Sequence, residues 1–233
     1  MRILRNLIQN IEHRFKNLSY YDKTLAHLKV KVVEHKRNDK KLDLAIGYDS
    51  IIVHHTGNIP NRTIEDIYNV HVKKRKFATI GYHFVITRDG KIYYTRPLYF
   101  KGAHAKPNTN KIGIAFASNF NWEKVSSSAV HSYFELVKVL RHMYNIPRNN
   151  IIGHVQHQVR CLNQSLTSLK VKPWLTEDKI FKINSLKDFV QLKRYEYYRL
   201  KTLNLPQKII KQAYYLKSCP GINFYGYLLY DKF

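Results

Sequence analysis

Three segments far apart in the chain carry side chains suited to a transition metal: Ile51-Ile52-Val53-His54-His55-Thr56, Gly153-His154, and Lys217-Ser218-Cys219-Pro220-Gly221. Together they offer two imidazoles and one thiolate. Zinc takes nitrogen and sulfur donors in a tetrahedron, and three protein ligands leave its fourth position open to water. Two neutral imidazoles and one thiolate leave such a dication net positive, which acidifies the water toward neutral pH. Tyr82, in Gly81-Tyr82-His83-Phe84, and Lys217 add a phenol and an ammonium that can stabilise an oxyanion as it forms. The chemistry implied is metal-assisted hydrolysis of an amide or ester. His55, His157 and Cys161 compete for the same roles. Strand alternation places Ile52 and His54 on one face and Val53 and His55 on the other. Spacing alone leaves Cys161 and Cys219 both open, because Cys161 lies only seven positions after His154.

The elements that must position these groups alternate along the chain. The patterning predicts strands over 51–54, 82–87, 91–96, 112–117 and 150–152, with a hairpin turn at Arg88-Asp89-Gly90. A helix starts at Thr63, where Thr63-Ile64-Glu65-Asp66 forms a capping box with Asp in place of the usual Glu. Val130, Tyr133, Phe134, Val137, Leu140 and Tyr144 mark one face of a second helix, from near Ser126 to before Pro147. Residues 1–17 read as an amphipathic helix, 28–33 as a strand and 35–41 as a solvated loop. Residues 177–203 read as one helix closed by Pro206, followed by a short helix over 207–216. The fold class is α/β, a central mixed β-sheet flanked by helices.

In order and in kind, several motifs resemble those of the zinc-dependent N-acetylmuramoyl-L-alanine amidases shared by phage amidase lysozymes and peptidoglycan recognition proteins. They are Ile51-Ile52-Val53-His54-His55-Thr56, Gly81-Tyr82-His83-Phe84 with Arg88-Asp89-Gly90, Gly102-Ala103-His104-Ala105, Ile112-Gly113-Ile114, Gly153-His154 and Cys219-Pro220-Gly221. The resemblance covers about residues 50–157 and the last fifteen. It implies zinc held by His54, His154 and Cys219, with Tyr82 and Lys217 catalytic and His104 and Asn108 on the substrate. It selects Cys219 over Cys161 through the following Pro-Gly and the lysine two residues before, and Gly153-His154 over His157, which is then expected to be exposed. Cys161 is then expected to be a small buried hydrophobe. The substrate implied is peptidoglycan or a muropeptide, cut between N-acetylmuramic acid and L-alanine. The alternative is a binding module that recognises peptidoglycan without cutting it. The water, Tyr82 and Lys217 all remain candidates to protonate the leaving amine.

The family separates its second histidine from its cysteine by about eight residues. Here the separation is 65. The expected organisation is therefore an N-terminal helical extension over 1–49, packed on the core, and an amidase domain over 50–233 that includes a helical insertion at about 158–215.

With 233 residues, 44% of them hydrophobic, the chain can bury a sizeable core, and no apolar run approaches the roughly 18 residues of a membrane span. Two cysteines make no disulfide framework and suit a reducing compartment. Residues 1–10 break their apolar stretch with Arg5, Asn6, Gln9 and Asn10, and no small-residue cleavage site follows. A signal peptide is not expected. The protein then stays in the cytoplasm or reaches the cell wall by a signal-independent route. The net charge of +24 is spread over the chain, with 15 basic and 5 acidic residues in 51–157 and 13 and 4 in 158–218. Such a surface attracts polyanions non-specifically. No nucleic-acid motif accompanies it, so specific nucleic-acid binding is not expected.

Overall fold

The computed structural model describes residues 25, 28–33, 42–57 and 62–229. The expected helix over 1–17 and loop over 35–41 lie outside them. Six strands form one sheet: β1 (Lys31–Val32), β2 (Ser50–His55), β3 (Phe84–Ile86), β4 (Ile92–Tyr94), β5 (Lys111–Phe116) and β6 (Ile151–Gly153), in the order β1-β4-β3-β5-β2-β6. β2 runs parallel to both β5 and β6, and β3 is parallel to β5 and antiparallel to β4. Ile51, Ile52 and Val53 are fully buried, as expected of a central parallel strand covered on both faces.

On one face Ile51, Val53, Ile112, Ile114 and Phe116 pack against Tyr133, Leu136, Val137 and Leu140 of α2 (Ser127–Tyr144). Ser126 caps α2 by accepting the Ala129 N–H, and Asn145 ends it in the left-handed conformation. The Arg88-Asp89-Gly90 hairpin turn is tied down by hydroxyls beside α2: Ser126 Oγ donates to the Arg88 carbonyl and Ser132 Oγ to that of Gly90. On the other face lie α1 (Ile64–Tyr68), which starts in the expected Thr63/Asp66 capping box, and the π-helical turn Asn69–Lys74 that continues it. Ile67 there packs with Ile80, Val85 and Ala117. His54 opens onto this second face.

Between His154 and Cys219 the chain is helical, in more pieces than the patterning predicts. α3 (His154–Ser168) begins directly at the end of β6, so His154 is the first residue of a helix. The helix expected over 177–203 is two: α4 (Glu177–Phe181) and α5 (Leu186–Thr202). The break has a local cause. Ser185 Oγ accepts the Asp188 N–H and donates to the Asp188 carboxylate, which makes it an N-cap instead of an interior residue. α6 (Gln207–Tyr214) follows, then α7 (Tyr225–Leu229) after Cys219. These helices have apolar clusters of their own, Val155, Val159, Leu175, Ile180 and Phe189 in one, Leu162, Leu166, Leu200, Ile210 and Ala213 in the other. α3 contributes to both. No helix among the described residues is long and apolar enough to cross a membrane.

His83 shows how the sheet uses a buried imidazole structurally. Its Nδ1 accepts the Gly113 N–H at 3.0 Å and its Nε2–H donates to the Phe100 carbonyl at 3.0 Å. Burial pushes its pKa down to about 3. A histidine titrating lower folded than unfolded stabilises the fold fully only above its unfolded value of about 6.5, and that stability is lost as pH falls toward 3. At pH 4 the cost from this residue alone is about 3 kcal/mol. We expect the melting temperature to fall between pH 7 and 4, with a shallower pH dependence in His83→Gln, measured by thermal denaturation across that range.

Candidate metal centre

β2 carries His54 to the edge of the second face, where it is 2% exposed. The short β6 pairs with β2 so that Val53 faces Gly153, and the chain turns into α3 one residue later, which sets the His154 ring 4.6 Å from that of His54 between centroids. Cys219 arrives from the loop after α6. Its carbonyl accepts the Val155 N–H at 2.9 Å, which locks the loop to the first turn of α3, and its Sγ accepts the His55 N–H at 3.3 Å. Gly153 is required here: a Cβ would come within 2.6 Å of Pro220 Cδ. The result is that one donor atom each of His54, His154 and Cys219 lie within 4.8 Å of one another, all three residues buried.

Proton positions follow from the partners. The Lys111 carbonyl can only accept, so His104 Nε2, 3.3 Å away, carries a hydrogen and donates to it. Burial first, then neighbouring His83, holds His104 well below the usual imidazole value, so it is neutral and its Nδ1 is bare. His54 Nε2, 2.9 Å from that Nδ1, must then be the donor. His54 is also held neutral, by burial and then by His154. Its Nδ1 is therefore a lone pair, 3.6 Å from Cys219 Sγ and pointed into the cluster. Burial lowers His154 to about 3, with Lys217 adding to the effect, and pushes the Cys219 thiol up to about 12 against the opposing influence of the His55 N–H and Lys217.

Tyr82 stands beside His54, ring centroids 5.2 Å apart. Burial, and next the proximity of Cys219, raise its phenol well above the ordinary value, so it keeps its proton. A residue without a motif holds it there: His71, from the π-helical turn, accepts the Gly81 N–H on Nδ1 and lays its ring 5.1 Å from that of Tyr82. Nothing in the sequence around His71 marks this role. Lys217 is exposed at the rim, its backbone N–H on Gln158 Oε1.

His104 and Asn108, expected on the substrate side, are engaged with the protein. His104 lies between His54 and the Lys111 carbonyl, and Asn108 Oδ1 accepts the backbone N–H groups of His104 and Ala105. His55 turns away from the cluster, its Nδ1 accepting the Phe120 N–H. His157 is buried, not exposed: α3 carries it beneath the 101–107 loop, where its Nε2 donates to the Lys106 carbonyl. Cys161, one turn further, is half-buried with its sulfur 3.8 Å from His157 Nε2, and is not the fully enclosed hydrophobe expected. Neither His157 nor Cys161 joins the three-donor cluster.

Residues 45–167 match the family model described as N-acetylmuramoyl-L-alanine amidase. Among solved structures the chain is similar to an endolysin N-acetylmuramoyl-L-alanine amidase from Clostridium intestinale, 31% identical, with a TM-score of 0.51, covering 61% of this chain and 96% of that one. Among curated proteins it is similar to a peptidoglycan-recognition protein of Drosophila simulans, 31% identical over 134 residues, 53% of this chain and 72% of that protein. Peptidoglycan-recognition protein SD of Drosophila melanogaster is 32% identical over 95 residues, 40% of this chain and 51% of that protein, so the chain spans about half the length of that relative. The matched stretch holds the sheet from β2 onward, His54, Tyr82, His104 and His154, and stops before Cys219. With more than half its length matched to the one model, the chain belongs to the N-acetylmuramoyl-L-alanine amidase family.

Proposed function

We propose that the chain is a zinc-dependent amidase that hydrolyses the bond between N-acetylmuramic acid and L-alanine in peptidoglycan. The observation that carries this reading is the convergence of His54, His154 and Cys219, with the His54 Nδ1 lone pair turned toward the Cys219 sulfur. The donor set suits zinc: two neutral imidazoles and a sulfur, close enough together for bonds of about 2.0–2.3 Å to one ion. Cys219 fits as well. Its buried thiol, costly to ionise alone, is the kind of group that a dication deprotonates outright. Bound there, zinc would supply Lewis acidity toward a water and the scissile carbonyl.

The chain's own residues supply the rest. Tyr82 keeps its phenolic proton and offers it to the carbonyl oxygen as negative charge builds on it. Lys217 brings a positive charge to the same rim. Both carry protons that the departing amine needs. His104 fixes the tautomer of His54 and so presents Nδ1. The recognition-protein relatives suggest a second reading, binding of peptidoglycan without cleavage. Retention of all three donors together with Tyr82 favours cleavage.

Purified protein is expected to release peptide stems from cell walls, to lose this activity with a chelator and to recover it with zinc. Cys219→Ala should lower the rate by more than about a hundredfold, while Cys161→Ala leaves it near wild type. Release that persists undiminished after complete removal of metal would defeat the proposal. A separate measurement tests His104. His104→Phe should weaken zinc binding by about 10–100-fold in competition with a chromophoric chelator, without loss of helix content. Gly113→Ala should do the same, because a Cβ there meets His104 Cδ2 at 2.4 Å. Unchanged zinc affinity in both variants would remove His104 from the support of the site.

A further inference from the structure

α5 and α6, with the turn after α6, line a groove of about 690 Å³ that extends to Lys217. Its walls include Tyr197, Tyr198, Tyr214 and Tyr215 together with Lys193, Arg194 and Lys217, of which Lys217 lies two residues before Cys219 in the chain. No carboxylate among the described residues lines it. Glu196, on the same helix, is fully buried and held by Arg199 through two hydrogen bonds of 2.8 and 2.9 Å. Tyr197 packs against the apolar cluster that joins the helices, its ring 5.5 Å from that of Tyr214, but the task of holding the helices together is not left to the tyrosines. That task falls to Leu162, Leu166, Leu200, Ile210 and Ala213, while Tyr198 and Tyr215 are 60% and 61% exposed. Lys193 stands 5.6 Å over the Tyr214 ring. Flat aromatic faces that also carry hydroxyls, interleaved with cations, suit a ligand whose units have apolar faces, hydroxyl edges and negative charges.

Resting on the amidase reading, we propose that this groove binds the glycan strand of peptidoglycan, its sugar faces on the tyrosines and its muramic carboxylates on Lys193, Arg194 and Lys217. The charge arises from the reaction. Hydrolysis breaks the C–N bond, the acyl carbon takes OH and the nitrogen takes H, and at neutral pH the acid formed gives up its proton. Each cut therefore leaves one carboxylate on the strand where a neutral amide had been. The groove then holds a stripped strand more tightly than an uncut one and keeps the enzyme near the next stem. Its location agrees: Lys217, which lines it, lies two residues before Cys219, and its charge acts on His54, His154 and Cys219.

The test compares the affinity of the full chain for peptide-free glycan strands, uncharged chitin oligosaccharides of equal length, and oligothymidylate. Stripped strands should bind at least about tenfold more tightly than chitin oligosaccharides. Tyr198→Ala/Tyr215→Ala should weaken strand binding on the order of tenfold, and Arg194→Glu should remove the preference for charged strands. Hydrolysis of a soluble monomeric muropeptide, too short to reach the groove, should be unchanged in these variants. Strand binding as tight in the double tyrosine variant as in wild type overturns the proposal, and so does tighter binding of oligothymidylate than of glycan. Wild-type protein that cleaves neither walls nor monomer defeats the amidase reading instead, and the three affinities still decide what the groove holds.

Discussion

A buried imidazole is tolerated when it is neutral and its nitrogens find partners, and the centre of this molecule depends on which partners meet His54. His83 has a partner on each nitrogen, the Gly113 N–H and the Phe100 carbonyl, and is a structural residue. His54 donates from Nε2, because His104 Nδ1 accepts from it and the Lys111 carbonyl fixes the other end of that chain, and its Nδ1 lone pair meets the Cys219 sulfur at 3.6 Å. The Lys111 carbonyl is in turn placed by the β2–β5 register, which sets Ser50 opposite Lys111 and His54 opposite Ala115. Sheet pairing thus reaches through two rings to determine which nitrogen of His54 presents its lone pair to Cys219.

The third donor must reach that lone pair across 65 positions of chain. A structureless loop of that length would carry a large ordering cost. Helices replace it, and α3 makes them part of the site. One end of α3 is His154; its flanks carry Val155 and Val159 into one satellite cluster and Leu162 and Leu166 into the other. Gln156 Oε1 accepts the Gly153 N–H while Gln156 Nε2 and Arg160 both donate to Glu177 of α4. Val155 N–H then donates to the Cys219 carbonyl. The inserted helices and the ligand turn are therefore stabilised together, and displacement of α4 would be felt at His154.

Much of this was legible in the residues. The alternation Ile52/His54 against Val53/His55 predicts the faces of β2, the Thr63/Asp66 box starts α1, and the apolar spacing of α2 with Ser126 before it is found as read. Local signals of this kind survive because cap chemistry and burial period act within a few residues. What failed were competitions between local signals. The apolar period through 177–203 reads as one helix, but Ser185 with Asp188 offers a cap that ends the continuity. Val155, Val159, Leu162 and Leu166 mark α3 at helical spacing, yet the expected role of Gly153-His154 as a strand end hides a helix that begins on the ligand itself. For His104 and Asn108, expected on the substrate from the motif around them, the structure adds bonds to the protein that the motif does not encode. Whether a histidine faces substrate or another ring depends on Gly113 and Lys111 of a different strand, a contact that no local pattern encodes.

The electrostatics of the cluster bind these pieces into one event. Without an ion the three donors carry no formal charge: the histidines are held neutral and the thiol is pushed up to about 12 by burial. Lys217 is the cation whose charge reaches all three. By Coulomb's law it opposes a dication arriving among them, yet it favours the thiolate that the dication requires. The His55 N–H adds to that second effect without the first, since it donates to sulfur and bears no net charge. On the proposed reading, entry of an ion and loss of the thiol proton would be coupled, because either one alone would place an uncompensated charge in a buried site. The main-chain N–H at the end of β2 thus favours the form of Cys219 that a metal would require, while Lys217, whose charge would oppose an ion, stays at the exposed rim, where solvent screens it.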